Sequence, residues 1–204
     1  MKYYPPSNHI YYENSDVPIN KLNIKELEII TEIEKELLVR AYEKLHTEID
    51  ENIKFDEKYL CKVHEEIFFQ LYDWAGKFRT VNISKDESMF CPYLNLSSFS
   101  NEIFTKLKDD NFLKDFEDIS KKDEFINKLA FYICELNVLH PFNEGNGRAL
   151  RLFFDMIVTF NGYEYINYED TLENDDYIKA SIDCRFADCE KMEVNLQKGL
   201  NKNI

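Results

Sequence analysis

Apolar residues recur at helical spacing through most of the chain. In "KELEIITEIEKELLVRAYEKL", from Lys25, residues Leu27, Ile30, Ile33, Leu37 and Leu38 fall at helical spacing. The pattern returns from Asp56 through "KYLCKVHEEIFFQLYDW", where Gly76 stops it. Then the period changes. In "FRTVNISKDESMFCPY" Val81 and Ile83 alternate with Thr80, Asn82 and Ser84, so a short hairpin is expected around Lys85–Ser88. "SFSNEIFTKLKDDNF" is helical again. Ser120, with Asp123 three residues on, reads as a capping box. The helix it opens turns Phe125, Leu129, Tyr132, Ile133 and Leu136 inward and ends near His140–Pro141. "GRALRLFFDMIVTF" follows and stops at Asn161–Gly162. The tail from Asp175 to Leu200 reads as one or two helices. Ahead of them all, "YYPPSNHIYYENSDVPINKLN" has no period and reads as an irregular aromatic arm laid on the surface.

The expected fold is therefore mainly α, a helical bundle with one short β-hairpin. A length of 204 residues suits one domain. Its parts are an arm and first helix (1–55), a core (56–162) holding the hairpin region 79–93 and a cluster at 140–151, and C-terminal helices (163–204). With 44% hydrophobic residues, a sizeable core can form, and five Gly and five Pro argue against a disordered chain.

Charge narrows the partners. A net charge of −14 argues against general affinity for nucleic acid or an anionic membrane. Any phosphate site must be a local exception built from a few placed positive groups. The N-terminus carries no apolar signal region and no apolar run is long enough to span a bilayer, so a cytoplasmic protein is expected. The five cysteines show no metal or paired spacing and are expected to be reduced thiols.

The local exception is "HPFNEGNGRALR", residues 140–151. Gly145 and Gly147 allow a tight connector and a close backbone approach to a ligand. Successive amides in such a turn form an anion nest, and the next helix points its positive end at the same place. Arg148 and Arg151, three apart, share the first turns of that helix. Together these make a polyphosphate cradle. Glu144 is suited to Mg²⁺, which takes one or two carboxylates alongside phosphate oxygens. His140 is the candidate general base. Phe142 is an apolar anchor beneath the loop. Singly, each feature has a plain structural reading as a turn or a solvated face. The conjunction of His, Glu, Gly-Asn-Gly and two arginines at this spacing is what points to nucleotide chemistry.

The same residues resemble the signature of Fic-domain proteins, HPF-x-[D/E]-GNGR-x-x-R, at every specified position. "VHEEIFFQLYDWAGKFR" is similar to a second family stretch, and "ISKDESMF" to the family's flap hairpin. The arm and first helix resemble the start of stand-alone bacterial Fic toxins. The resemblance implies a Fic-type bundle and protein AMPylation: transfer of AMP from ATP to a hydroxyl of a target protein, and of the chain itself, by a toxin-like regulator. It implies ATP as substrate with Mg²⁺. His140 would deprotonate the acceptor and Glu144 would hold the metal. The backbone at Gly145–Gly147 and the Asn146 side chain would hold the α- and β-phosphates. Arg148 would reach the β-phosphate and Arg151 the γ-phosphate. The flap, with Ile83, Ser84, Lys85, Asp86, Glu87 and Ser88, would dock the target by strand addition. "KDES" stands where many relatives carry glycines. Asn137 and Lys179 are candidates for contact with the rest of the nucleotide.

The implied partner is a protein bearing a Tyr, Thr or Ser hydroxyl, with a type II topoisomerase subunit suggested by resemblance. Alternatives are a Fic-fold kinase, a transferase of another nucleotide, and a regulator that binds ATP without turnover. Fic enzymes are typically restrained by a helix carrying [S/T]-x-x-x-E-[G/N]. "TEIDEN", Thr47–Asn52, fits those letters and makes Glu51 a candidate in cis, but it closes the first helix. "TEIEKE", Thr31–Glu36, has Lys35 at the glutamate position. Inhibition in trans by a small antitoxin is therefore expected, with constitutive activity as the alternative.

Overall fold

The computed structural model describes residues 10–85 and 88–201. Among the described residues, eight α-helices, four short 3-10 helices and one hairpin make up the regular structure. Helix α1, Leu27–Thr47, buries Ile30, Leu37, Ala41 and Leu45; of the other positions its spacing selects, Ile33 and Leu38 are partly buried and Leu27, at the first turn, is exposed. Helix α2, Glu57–Phe68, is capped by Asp56, whose side chain accepts from the Tyr59 N–H at 2.9 Å. It is shorter than its pattern predicts. The amides of Leu71 and Tyr72 both turn back to the Phe68 carbonyl, and Gly76 takes a φ of 71°. The stretch to Gly76 is a run of turns in which Tyr72 and Trp74 stack at 4.4 Å.

Strands β1, Ser84–Lys85, and β2, Ser88–Met89, pair antiparallel with Ser84 opposite Met89 and Lys85 opposite Ser88. The hairpin lies where the change of period puts it. Helix α3 is Leu96–Asp109 and helix α4 is Lys122–Leu139. Ser120 does not cap α4. Asp118 accepts from the Ser120 N–H at 2.9 Å and closes a 3-10 turn that leads into the helix. Helix α5, Asn146–Phe160, is buried on nearly every side, so its apolar run is that of a central helix. Helices α6, Glu169–Glu173, α7, Asp176–Asp183, and α8, Glu190–Gly199, follow.

Helix α5 packs on α1, α2 and α4, and α4 in turn packs on α3 and α8. Phe125, Tyr132, Phe142, Phe153 and Phe154 fill the space between them. The loop joining α4 to α5 thus emerges between the two helices with the most buried residues. One expectation about the cysteines is corrected. Cys134 on α4 and Cys184 after α7 are joined as a disulfide, although 50 residues separate them, because the bundle brings their Cα atoms to 4.8 Å. Cys61, Cys91 and Cys189 are free thiols. Among the described residues no helix is long and apolar enough to cross a membrane.

Candidate active site

Helix α4 ends where His140 turns left-handed, with φ 46° and ψ 62°. That conformation is costly for a residue with a Cβ and needs surrounding support. The support is visible. The His140 N–H donates to the Leu136 carbonyl at 3.0 Å, and the imidazole stacks on Phe90 at 3.8 Å and 14°. Its Nδ1 lies 3.2 Å from the Asn137 carbonyl. A carbonyl can only accept, so Nδ1 carries the proton and Nε2 is the basic nitrogen.

Below it, Phe142 is fully buried and stacks on His64 at 3.8 Å and 13°. His64 receives the Gly76 N–H on Nδ1 at 2.8 Å, so its Nε2 carries the proton and donates to the Glu144 carbonyl at 3.0 Å. Burial pushes the His64 pKa down to about 3, so it stays neutral and serves as a brace. Asn146 is also fully buried. Its amide oxygen accepts from the Phe142 N–H and its amide nitrogen donates to the Phe142 carbonyl, each at 2.8 Å. Both ends of the amide are thus engaged in closing the loop, which leaves the second N–H of its nitrogen as the part of this side chain not used there. Gly145 has φ 75°, and a Cβ there would stand 2.3 Å from the Phe68 ring. Gly147 needs no left-handed backbone. It lies in the first turn of α5, and a Cβ would meet only the Arg151 guanidinium, at 3.3 Å.

The charged residues diverge from the loop. Arg148 pairs with Glu34 of α1 at 2.6 Å and lies 4.7 Å over the Phe68 ring. Glu34 also accepts from the Tyr72 hydroxyl at 2.6 Å. Arg151 points the other way, about equidistant from the rings of Tyr168, at 5.9 Å, and Tyr177, at 6.0 Å. Among the described residues Arg151 makes no ion pair. One helical turn on, buried Asp155 accepts from the Tyr42 hydroxyl at 2.5 Å and the Ile166 N–H at 3.0 Å. Burial raises its pKa to about 7, with both hydrogen bonds and Arg151 pulling the other way. Glu144 accepts from the Tyr11 hydroxyl at 3.1 Å. Burial raises its pKa, against the pull of Tyr11 and Arg148.

The flap is tied to this loop by Arg79, which is 2% exposed. Its guanidinium donates to the carbonyls of Val81 and Cys91 on the two flap stems, at 2.7 and 2.5 Å. It also donates to those of His140 and Leu139, at 2.9 and 3.3 Å, and its N–H donates to Pro141. Burial lowers its pKa only to about 10, so it remains charged. The Ile83 side chain is buried, so at that position the flap offers backbone. Asp86 and Glu87 lie outside the described residues, and of Lys85 and Ser88 only the backbone is described.

The remaining candidates separate. Asn137 stays beside the site, with its amide 3.4 Å from the Ser181 hydroxyl. Lys179 does not join it. That side chain is exposed and turns to Asp176, at 3.6 Å, and the Asn174 carbonyl, at 3.2 Å, because helix α7 directs it outward. Glu51 is exposed in the turn after α1, its carbonyl held by Lys114 at 2.9 Å. No helix carries "TEIDEN", since α1 ends at Thr47.

Among the described residues no three His, Cys, Asp or Glu side chains gather to hold a metal by themselves. Glu144, a half-buried carboxylate just ahead of the N-terminus of α5, would suit a hard cation that takes its other ligands from phosphate and water.

Residue-by-residue reading missed Tyr11, Glu34, His64, Arg79 and Phe90. His64 and Arg79 stand inside the stretch already seen to resemble the family, so a signal existed for them. Phe90 closes the stretch that resembles the flap, and Glu34 lies in the first helix, which also resembles the family; but their partners, like that of Tyr11, stand 50, 114 and 133 residues away, and nothing local announces those pairings.

The model of the Fic/DOC family matches residues 54–158. Protein adenylyltransferase VbhT of Bartonella schoenbuchensis is 32% identical over 204 residues, covering 99% of this chain and 41% of VbhT. The chain therefore spans about two fifths of that relative. The crystal structure of BepC from Bartonella tribocorum, with bound AMPPNP, superposes with a TM-score of 0.80 at 19% identity, covering 96% of this chain and 98% of that one. The N-terminal Fic domain of a Bartonella quintana effector, with bound ADP, gives 0.79 at 21% identity, covering 96% and 95%.

Proposed function

This chain belongs to the Fic/DOC family, and from that premise we propose that it transfers AMP from ATP to a hydroxyl side chain of a target protein and releases pyrophosphate. The observation that carries the reading is His140: its Nδ1 is committed to the Asn137 carbonyl, which makes Nε2 a base at the mouth of an anion nest. The name of VbhT, an adenylyltransferase, and the nucleotides bound to two structural neighbours accord with it.

In this mechanism His140 takes the proton of the acceptor hydroxyl as its oxygen attacks the α-phosphorus. The bond from the α-phosphorus to the bridging oxygen breaks, and pyrophosphate departs. The amides at the start of α5 and the helix dipole stabilise the charge on the phosphates. Arg148, steadied by Glu34 and Phe68, reaches the β-phosphate, and Arg151 the γ-phosphate. Asn146 shapes the nest from behind and His64 fixes the Glu144 backbone. Glu144 would hold Mg²⁺, which would neutralise part of the phosphate charge. The flap stems, clamped by Arg79, present backbone to the target segment.

The setting we infer is cytoplasmic and toxin-like, with a protein target such as a topoisomerase subunit. Restraint comes in trans from a partner that offers a glutamate to Arg151. Two observations support that: Arg151 makes no ion pair among the described residues and lies between the Tyr168 and Tyr177 rings, and Glu51 is not on a helix.

Labelled ATP tests the proposal. With α-labelled ATP and Mg²⁺ the protein should label itself or a protein in lysate, while γ-labelled ATP should label nothing. Label from the γ-position alone would make it a kinase and sink the reading. His140→Ala should lower transfer at least about a hundred-fold with an unchanged far-UV spectrum.

A further inference from the structure

We propose that Tyr11, on the N-terminal arm, is a positioning residue for the metal-binding carboxylate. Its hydroxyl donates to Glu144 Oε1 at 3.1 Å from 133 residues away. No neighbour in sequence holds it there. The arm does. Tyr11 pairs antiparallel with Pro18, the Ile19 N–H donates to the Ile10 carbonyl, and the Tyr12 N–H donates to the Val17 carbonyl. Val17 is buried at the foot of this turn, and the Asn20 amide ties the carbonyls of Pro18 and Ile24 together. Lys21 then fastens the arm to the turns after α2, through its N–H to the Leu71 carbonyl at 2.8 Å and its ammonium to the Phe69 carbonyl at 2.6 Å.

The arm thus delivers one phenol to one carboxylate. A carboxylate has several lone pairs, so a single phenol fixes its orientation and leaves acceptor capacity for a cation. Hydrogen-bond partners of ligating carboxylates act in this way, and their loss typically costs ten- to a hundred-fold in metal affinity. The adjacent Tyr12 supplies the contrast. Its hydroxyl bonds Asn23, within the arm, at 3.2 Å.

The inference rests on Glu144 as the metal ligand, and the experiment separates the two. Binding of Mn²⁺ to the full chain with a non-hydrolysable ATP analogue is followed by the loss of the free-ion paramagnetic resonance signal. Wild type should bind and Glu144→Gln should not. Tyr11→Phe should bind about ten-fold more weakly, and Tyr12→Phe like wild type, with thermal melting unchanged in both. In transfer assays Tyr11→Phe should raise the Mg²⁺ concentration for half-maximal rate about ten-fold, and saturating Mg²⁺ should restore the rate. If wild type and Glu144→Gln bind Mn²⁺ equally, or neither binds, the metal assignment fails and Tyr11 with it. If wild type binds and Tyr11→Phe binds as tightly or more tightly, the metal assignment stands and the role of Tyr11 is overturned. Equal weakening by Tyr12→Phe overturns it too, by making the effect one of arm packing.

Discussion

Gly145 and Gly147 look equivalent in the motif and are not equivalent in the fold. Gly145 combines a positive φ with contact against Phe68, so Gly145→Ala adds backbone strain to a clash with a packed ring. We expect a loss of about 3 kcal/mol in urea unfolding. Gly147→Ala keeps a helical backbone and meets only the end of a flexible arginine. It should leave stability within about 1 kcal/mol of wild type yet reduce transfer, since the new methyl stands beside the Arg151 guanidinium. Equal destabilisation by the two changes would refute this division. His140 belongs to the same scale. Its left-handed backbone is held by Arg79 through its carbonyl and by Phe90 through its ring, so the direction of Nε2 is set by the flap stems as much as by the loop itself.

Among the elements, the flap and the α4–α5 loop behave as one unit because a single guanidinium serves carbonyls in both. Lysine has a charge but no planar fork, and cannot reach four carbonyls in two directions. Arg79→Lys should therefore cost about 2 kcal/mol or more from unsatisfied buried carbonyls. It should also speed amide exchange at Met89 and Phe90 relative to the core of α5. Unchanged exchange in the flap would mean that the clamp is not what orders it. The helices themselves were legible because burial on one face imposes a 3.6-residue period. The end of α2 was not, because Tyr72 and Trp74 continue that period while stacking in a turn. Nor was the missing cap at Ser120, where Asp118 takes the same backbone amide.

For the whole molecule, two buried groups pull stability in opposite directions with pH. His64 ordinarily titrates near 6.5 and in the fold near 3, so acid protonates the unfolded chain first and stability falls as pH drops through that window. Asp155 ordinarily titrates near 3.8 and in the fold near 7, so the folded molecule holds a proton that the unfolded chain has released. Its contribution grows as pH falls from 7 toward 3.8. Each displacement of about three pH units corresponds to roughly 4 kcal/mol, and between pH 4 and 6.5 the two largely offset. Asp155→Asn removes one of them, with Oδ1 still accepting from the Ile166 N–H and Nδ2 now donating to the Tyr42 oxygen. Its melting temperature should drop more steeply than that of wild type between pH 7 and 5. Parallel profiles would show that Asp155 carries no proton in the fold.

The amino-acid sequence by itself determined the helical class, the place of the hairpin and the motif of residues 140–151. Periodicity and short motifs are local, and each of these is written within a few turns of chain. Only the tertiary structure decided what the motif leans on: Glu34 beside Arg148, His64 beneath Phe142, Arg79 across the flap stems and Tyr11 on Glu144. It also decided that Asn146 faces inward, that Lys179 faces away, and that Cys134 meets Cys184. These pairings join positions up to 133 residues apart, and chain distance carries no sign of them until burial brings the partners together.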